Sequence, residues 1–186
     1  GCMEDGEWLN DEAINMYIEI LRARGARDGA PLRCHFFSTF FYQKLSDDGK
    51  GYNYRNVRRW TKRATVDIFS LDYVIMPIHV DIHWCLAAIN LRDQRLEYYD
   101  SMAGSDHGCL EKLCTYLNDE SMHKRETPFD ASAWQRYVPK NIPHQNNSCD
   151  CGAWCPLKEA IFLLVLSLSL SLSLISPRFH SSHTFL

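Results

Sequence analysis

Four residues far apart in the chain, His83, Asp100, Gln145 and Cys151, could together cut an amide bond. Cys151 stands in Asn147-Ser148-Cys149-Asp150-Cys151-Gly152, where a polar loop leads into an apolar stretch. That placement suits a helix N-terminus, whose dipole favours the thiolate, the reactive form of cysteine. A nucleophilic thiol needs a base, and the base needs a group to orient it. His83 opens one apolar run and Asp100 closes the run Leu96-Glu97-Tyr98-Tyr99-Asp100. If the two runs pair as a hairpin turning between Leu91 and Arg95, positions 83 and 100 meet at its open end, to within a residue or two. The carboxylate would then fix the imidazole tautomer and stabilise the imidazolium formed beside a thiolate. Gln145, on the loop before Cys151, offers an amide donor for the oxyanion of a tetrahedral intermediate, together with the Cys151 backbone N–H.

Each residue also has a plainer reading. A cysteine is more often buried or idle than reactive, a lone histidine or aspartate is more often structural, and a loop glutamine is usually solvated. Metal readings are weaker still. His144, Cys149, Cys151 and Cys155 match no standard zinc module. His79 and His83 are four apart, but no glutamate follows the first, and their context is a strand. The expectation is therefore a site without metal.

The elements that must position these residues are legible from spacing. Asn10 is a good N-cap, followed by the acidic pair Asp11 and Glu12 and by the apolar face Ile14, Tyr17, Ile18 and Leu21, with Gly25 as a stop. Leu9 and Ile14 have the spacing of a hydrophobic staple. Phe36, Phe37, Phe40 and Phe41 suggest a second helix over 35–45. The period then shortens: 73–80, 83–91 and 95–100 read as strands, the last two as a hairpin. Leu110, Leu113, Cys114 and Leu117 mark another helix, and 134–138 one more strand. Helices, then strands, then a helix predict an α+β domain with a mostly contiguous sheet.

The chain has 186 residues, 46% hydrophobic and 23% charged, with a net charge of −3. These values suit one globular domain and exclude a disordered chain or a bulk polycation that would coat nucleic acid. Against that mild acidity stands the basic cluster Arg55, Arg58, Arg59, Lys62 and Arg63 around Trp60. It reads either as a solvated face or as a docking patch for an acidic partner. The eight cysteines include no Cys-x-x-Cys pair, and the first residues are polar and acidic. The first removes the main support for zinc-ribbon and thioredoxin readings; the second, with Cys85 in an apolar stretch and Cys34 beside one, predicts a reducing, intracellular setting without a secretory signal.

From Ala160 the chain becomes apolar and then alternates leucine and serine. A translated CT dinucleotide repeat is the simplest source. A membrane anchor is the rival, but 160–175 is short of the roughly 20 residues a span needs. The expected division is a catalytic domain over 1–159 and a low-complexity tail over 160–186 outside the fold.

Taken together, these stretches resemble the SUMO-specific cysteine proteases, the Ulp and sentrin-protease family. The resemblance is carried by WLNDE (8–12), HFFSTFFYQKL (35–45), VRRWTK (57–62), PIHVDIHWCL (77–86), YYDSM (98–102), YLNDE (116–120) and SCDCG (148–152). It implies a papain-like, adenain-type α+β fold with a central mixed sheet flanked by helices. It implies that Cys151 is the nucleophile, His83 the base, Asp100 its partner and Gln145 the oxyanion donor. Trp8 and Trp84 match two tryptophans that clamp a diglycine tail, and flat rings over two glycines exclude any side chain. Asp11, Phe37, Arg59, Trp60 and His79 match positions that contact SUMO or line the cleft. The implied partners are SUMO and SUMO-conjugated proteins, with no nucleic acid or membrane. The implied enzyme is a cofactor-free monomer of the nucleus or cytoplasm that matures or deconjugates SUMO. The alternatives are a catalytically weak SUMO-binding fragment and a NEDD8-directed protease of the same family. After Gly152 the family continues with buried helices, whereas this chain has Pro156 and then the Leu-Ser tract. Proline is tolerated only in a first helical turn, so the C-terminal helices are expected to be missing or replaced.

Overall fold

The computed structural model of the chain describes residues 10–25, 32–80, 83–106 and 108–139. Trp8, Leu9, Gln145, Cys151 and the Leu-Ser tract lie outside them. Among the described residues the order is α1 (Asp11–Gly25), β1 (Cys34–Phe36), α2 (Phe40–Leu45), α3 (Trp60–Ala64), β2 (Tyr73–Val80), β3 (His83–Asn90), β4 (Arg95–Tyr99), α4 (Cys109–Arg125) and β5 (Gln135–Tyr137). The strands form one mixed sheet in sequence order, β1-β2-β3-β4-β5. The central pairs β2–β3 and β3–β4 are antiparallel, and the outer pairs β1–β2 and β4–β5 are parallel. None of the described helices is long and apolar enough to cross a membrane.

The first helix begins where its cap predicts. Asn10 Oδ1 accepts from the Ala13 amide at 3.0 Å, satisfying a donor with no partner inside the helix. Its buried stripe, Ile14, Ile18 and Leu21, covers one face of the sheet together with Phe36, Tyr73, Ile75, Trp84, Leu86, Ala88 and Tyr99. The opposite face packs Val74, Met76, Ile78, Cys85, Ala87, Ile89, Leu96 and Tyr98 against Phe37, Phe41 and Leu45 and against Leu110, Leu113, Tyr116 and Leu117 of α4. Each valine, leucine, isoleucine, methionine or phenylalanine among them contributes about 1.5–3 kcal/mol by leaving water. Because both faces are covered, β3 is buried at every position.

The helix expected over 35–45 is instead a short strand followed by a short helix. Alternation along β1 sends Phe36 to the α1 side. Phe37 and Phe41 go to the other side, where their rings stack at 3.7 Å. Phenylalanines at 36, 37, 40 and 41 satisfy a helical stripe and a strand-then-helix equally well, and pairing of Cys34–Phe36 with Tyr73–Ile75 decides between them.

Pro77 in the middle of β2 follows from that pairing. The Phe37 amide donates to the Ile75 carbonyl, so odd-numbered residues of β2 turn their backbone toward β1. The β1 pairing ends at Ile75. The missing N–H of Pro77 therefore falls on a free edge and costs no ladder bond.

Candidate active site

The open end of the β3–β4 hairpin carries His83 and Asp100. The observed register pairs Leu86 with Tyr99 and Asn90 with Arg95. Continued outward, it sets Cys85 opposite Asp100 and His83 opposite Met102. The pairing expected from sequence is thus displaced by two residues, because the connection is a four-residue turn, 91–94, with Gln94 at φ 55°. A shift of two keeps every side chain on its face, so Asp100 still meets His83 as a diagonal neighbour.

The contact is tight. His83 Nε2 lies 2.6 Å from Asp100 Oδ1, with His83 9% and Asp100 6% exposed. The carboxylate also accepts from the Met102 amide through Oδ1 at 2.8 Å and from the Gly104 amide through Oδ2 at 2.9 Å. A carboxylate accepts, so Nε2 carries the hydrogen and the Nδ1 lone pair is left as an acceptor. Nδ1 is buried and has no hydrogen-bond partner among the described residues. An orphaned nitrogen of this kind, on a ring held in one tautomer, can take a proton from a thiol brought alongside.

The Cys85 thiol shares the corner. Cys85, His83 and Asp100 present one ligand atom each within 4.8 Å of one another, all buried. Burial pushes the Cys85 thiol up to about 12; the Tyr98 hydroxyl lowers it by less, and the Asp100 carboxylate raises it further. At neutral pH Cys85 is therefore a protonated core thiol, not a nucleophile. With three hydrogen-bond donors already on Asp100, the trio reads as a hydrogen-bonded corner.

Trp84 points to the other face of the sheet from its neighbour His83. It is 6% exposed, packs in the α1 cluster, and lies 4.4 Å from the exposed His79 ring, its register partner across β2–β3. Asp11 is half-buried at the start of α1. Arg59 is exposed and Trp60 half-buried at the head of α3, with the Phe41 ring 5.5 Å away edge-on. All five residues of the basic cluster are exposed. Their segment is anchored from below by Glu120 of α4. This carboxylate is 1% exposed and accepts from the Tyr54 hydroxyl at 2.6 Å and from the Thr61 hydroxyl.

One expected surface residue is not at the surface. Phe37 is 2% exposed and stacked in the core, so the structure assigns it to packing. The outward ring of that stretch is Phe40, 45% exposed, which helical spacing alone did not separate from its neighbours. The described residues bring His83 and Asp100 together and pair Trp84 with His79 on the other face of the sheet. Gln145, Cys151 and Trp8 lie outside the described residues.

The chain is similar to known proteins over most of its length. Residues 7–156 match the family described as the Ulp1 protease family, C-terminal catalytic domain. Ubiquitin-like-specific protease 1A of Arabidopsis thaliana is 44% identical over 154 residues, covering 81% of this chain and 31% of that protein. Mouse sentrin-specific protease 2 is 43% identical over 152 residues, covering 81% of this chain and 25% of that one. The chain thus spans less than a third of the length of these relatives. Among solved structures, the C-terminal Ulp1 protease domain in complex with Smt3, the yeast orthologue of SUMO, aligns with a TM-score of 0.70 and 26% identity. That alignment covers 88% of this chain and 69% of the other.

Proposed function

From the premise that the chain belongs to the Ulp1 protease family of cysteine proteases, we propose that it cleaves the bond after the C-terminal Gly-Gly of SUMO. The observation that carries this reading is the His83–Asp100 pair with its orphaned, buried Nδ1. We assign Cys151 as the nucleophile, His83 as the base, Asp100 as its orienting partner and Gln145 as an oxyanion donor. The Cys151 thiol gives its proton to His83 Nδ1, and the thiolate attacks the carbonyl carbon of the terminal glycine. The oxyanion is met by the Gln145 amide and a backbone N–H. Collapse returns the electron pair to the carbonyl and expels the amine, which takes the proton from His83. Water, deprotonated by the same imidazole, then hydrolyses the thioester. The leaving amine is a lysine side chain in deconjugation or a short peptide in maturation.

Trp84 and Trp8 are assigned to the diglycine tail, and Arg59, Trp60, Asp11 and His79 to the broader SUMO face. The exposure of the basic cluster supports docking of an acidic surface there. We place the domain at 1–159, supported by the span of the family match, with the Leu-Ser tail outside it.

Covalent trapping tests the proposal. A SUMO bearing a C-terminal electrophile should label the chain at Cys151. Cys151→Ser should abolish labelling and Cys149→Ser should leave it intact. Equal labelling of the two variants would remove Cys151 from its role. Binding without labelling of the parent chain would favour a SUMO-binding fragment, and selective labelling by a NEDD8 electrophile would favour the NEDD8 reading.

A further inference from the structure

The loop after β4 contains a glycine required for a reason unlike that of the others. Gly49, Gly51 and Gly108 have φ values of 90°, 142° and 70°, and a Cβ added to any of them would meet nothing within 4 Å. They are glycines for conformation. Gly104 lies outside that range of φ, so its backbone suits any residue, but a Cβ there would fall 2.4 Å from Asp100 Oδ2 and 3.6 Å from its Cγ. It is a glycine for space, and the atom it makes room for is the carboxylate oxygen that its own amide holds at 2.9 Å.

We infer that Gly104 is a positioning residue for the base: its missing side chain lets the loop close on Asp100 and aim the carboxylate at His83. The inference rests on reading His83 as the base. Asp100 closes the loop from both sides, since its backbone carbonyl accepts from the Ala103 amide at 3.0 Å while its side chain takes the Met102 and Gly104 amides. Any side chain at 104 displaces Oδ2, and Oδ1 turns with it, because the two oxygens share one planar group. The 2.6 Å bond to Nε2 is then lost or misdirected. Neither Asp100, Met102 nor Gly104 touches substrate through this contact, so the effect reaches the chemistry only through the imidazole.

Ala103 is the natural control. It holds φ 53° in the left-handed region without being glycine, so Ala103→Gly relaxes the same loop without adding an atom. The test compares the 186-residue chain, Gly104→Ala and Ala103→Gly by two readouts. The first is the proton resonance of His83 Nε2–H in histidine-labelled protein, assigned by its disappearance in His83→Gln. The parent and Ala103→Gly should show it slowly exchanging, and Gly104→Ala should lose it. The second is cleavage of a SUMO fusion, where Gly104→Ala should lower kcat by about 10- to 100-fold while KM stays within about twofold. Ala103→Gly should match the parent.

Residue 104 is exposed, so the alanine collides with Asp100 and not with the core. A Gly104→Ala variant that keeps the His83 resonance overturns the inference. So does one that loses it only with a fall of more than about 5 °C in Tm, the mark of a general loss of structure. A parent chain that shows the resonance yet neither cleaves nor labels overturns the protease reading instead, and the resonance alone then decides the role of Gly104.

Discussion

The two ends of the β3–β4 hairpin each bury a carboxylate, and they finish it differently. At the turn end Glu97 is 0% exposed and accepts from Asn90 Nδ2 at 2.9 Å, Arg95 Nε at 3.0 Å and the Tyr99 hydroxyl at 2.7 Å. Asn90, itself 0% exposed, also donates to the Tyr73 hydroxyl and accepts from the Asp93 amide. At the open end Asp100 is as well supplied, but the imidazole it holds has a buried nitrogen with no partner among the described residues. The closed network satisfies its members and locks register. The open one leaves a single acceptor without a donor among the described residues, and a donor brought to it would relieve a cost of about 1–3 kcal/mol. The saturated carboxylate is structural, whereas the one holding an imidazole with an unshared lone pair supports the base proposed above.

Removing the base should break the comparison most sharply. His83→Ala is expected to lower turnover of a SUMO fusion by about 10²- to 10⁴-fold, the usual worth of a positioned general base. Its stability cost should be small, about 1–2 kcal/mol, because Asp100 keeps the amides of Met102 and Gly104 and no partner of Nδ1 among the described residues is stranded. Single-turnover rates and urea unfolding measure the two effects. Turnover within tenfold of the parent would return His83 to the structural class to which Glu97 belongs.

The turn end should show the reverse. Glu97→Ala takes the nearer carboxylate from the Arg95 guanidinium and strands the buried Tyr99 hydroxyl, while the Asn90 amide keeps Tyr73 and Asp93 as acceptors. A loss of about 3 kcal/mol is expected, since removing one member of a buried ionic network leaves the others uncompensated. At a temperature where the variant is still folded, kcat should stay within about threefold of the parent, because the open end lies at the far end of the hairpin. The linear-extrapolation ΔG and kcat, taken on one preparation, decide it. A stability loss below about 1 kcal/mol would mean that register is held by the apolar faces alone.

The two ends were unequally legible in the sequence. The open end could be read because its chemistry announces itself: a histidine and an aspartate at the termini of adjacent strands. The meeting of His83 and Asp100 survived an error of two in register because side chains alternate with period two. Glu97 was invisible, since a glutamate in a strand normally faces water and its three donors come from β3 and from β4 itself. Gly104 was equally silent, because its requirement is a contact with a residue four positions earlier and not a turn type. The clustered phenylalanines misled for a related reason: Phe37 is core and Phe40 is surface, yet spacing gives both the same helical face. Hydrophobic period reports which residues leave water, not which side of a sheet receives them.

The finest division of the comparison lies within the turn end, between Glu97 and Asp93. Asp93 also carries a carboxylate into the network, 3.1 Å from Asn90 Nδ2 and 3.4 Å from Arg95. Its side chain is 48% exposed, where that of Glu97 is 1%. The hydrogen count explains why the two should differ. Asn90 Nδ2 has two hydrogens and three acceptors within reach, namely Glu97, Tyr73 and Asp93. Deleting the Asp93 carboxylate leaves two acceptors for two hydrogens, so nothing becomes unpaired. Asn90 Oδ1 keeps the Asp93 backbone amide, which any residue but proline supplies. What remains is an exposed ion pair with Arg95, worth about 0–1 kcal/mol and screened by salt. Asp93→Ala should therefore cost about 0.5 kcal/mol by urea unfolding, and less at 1 M sodium chloride, with kcat unchanged. A cost near that of Glu97→Ala would show that Asn90 depends on its most solvent-exposed acceptor, and that burial does not rank the members of this network.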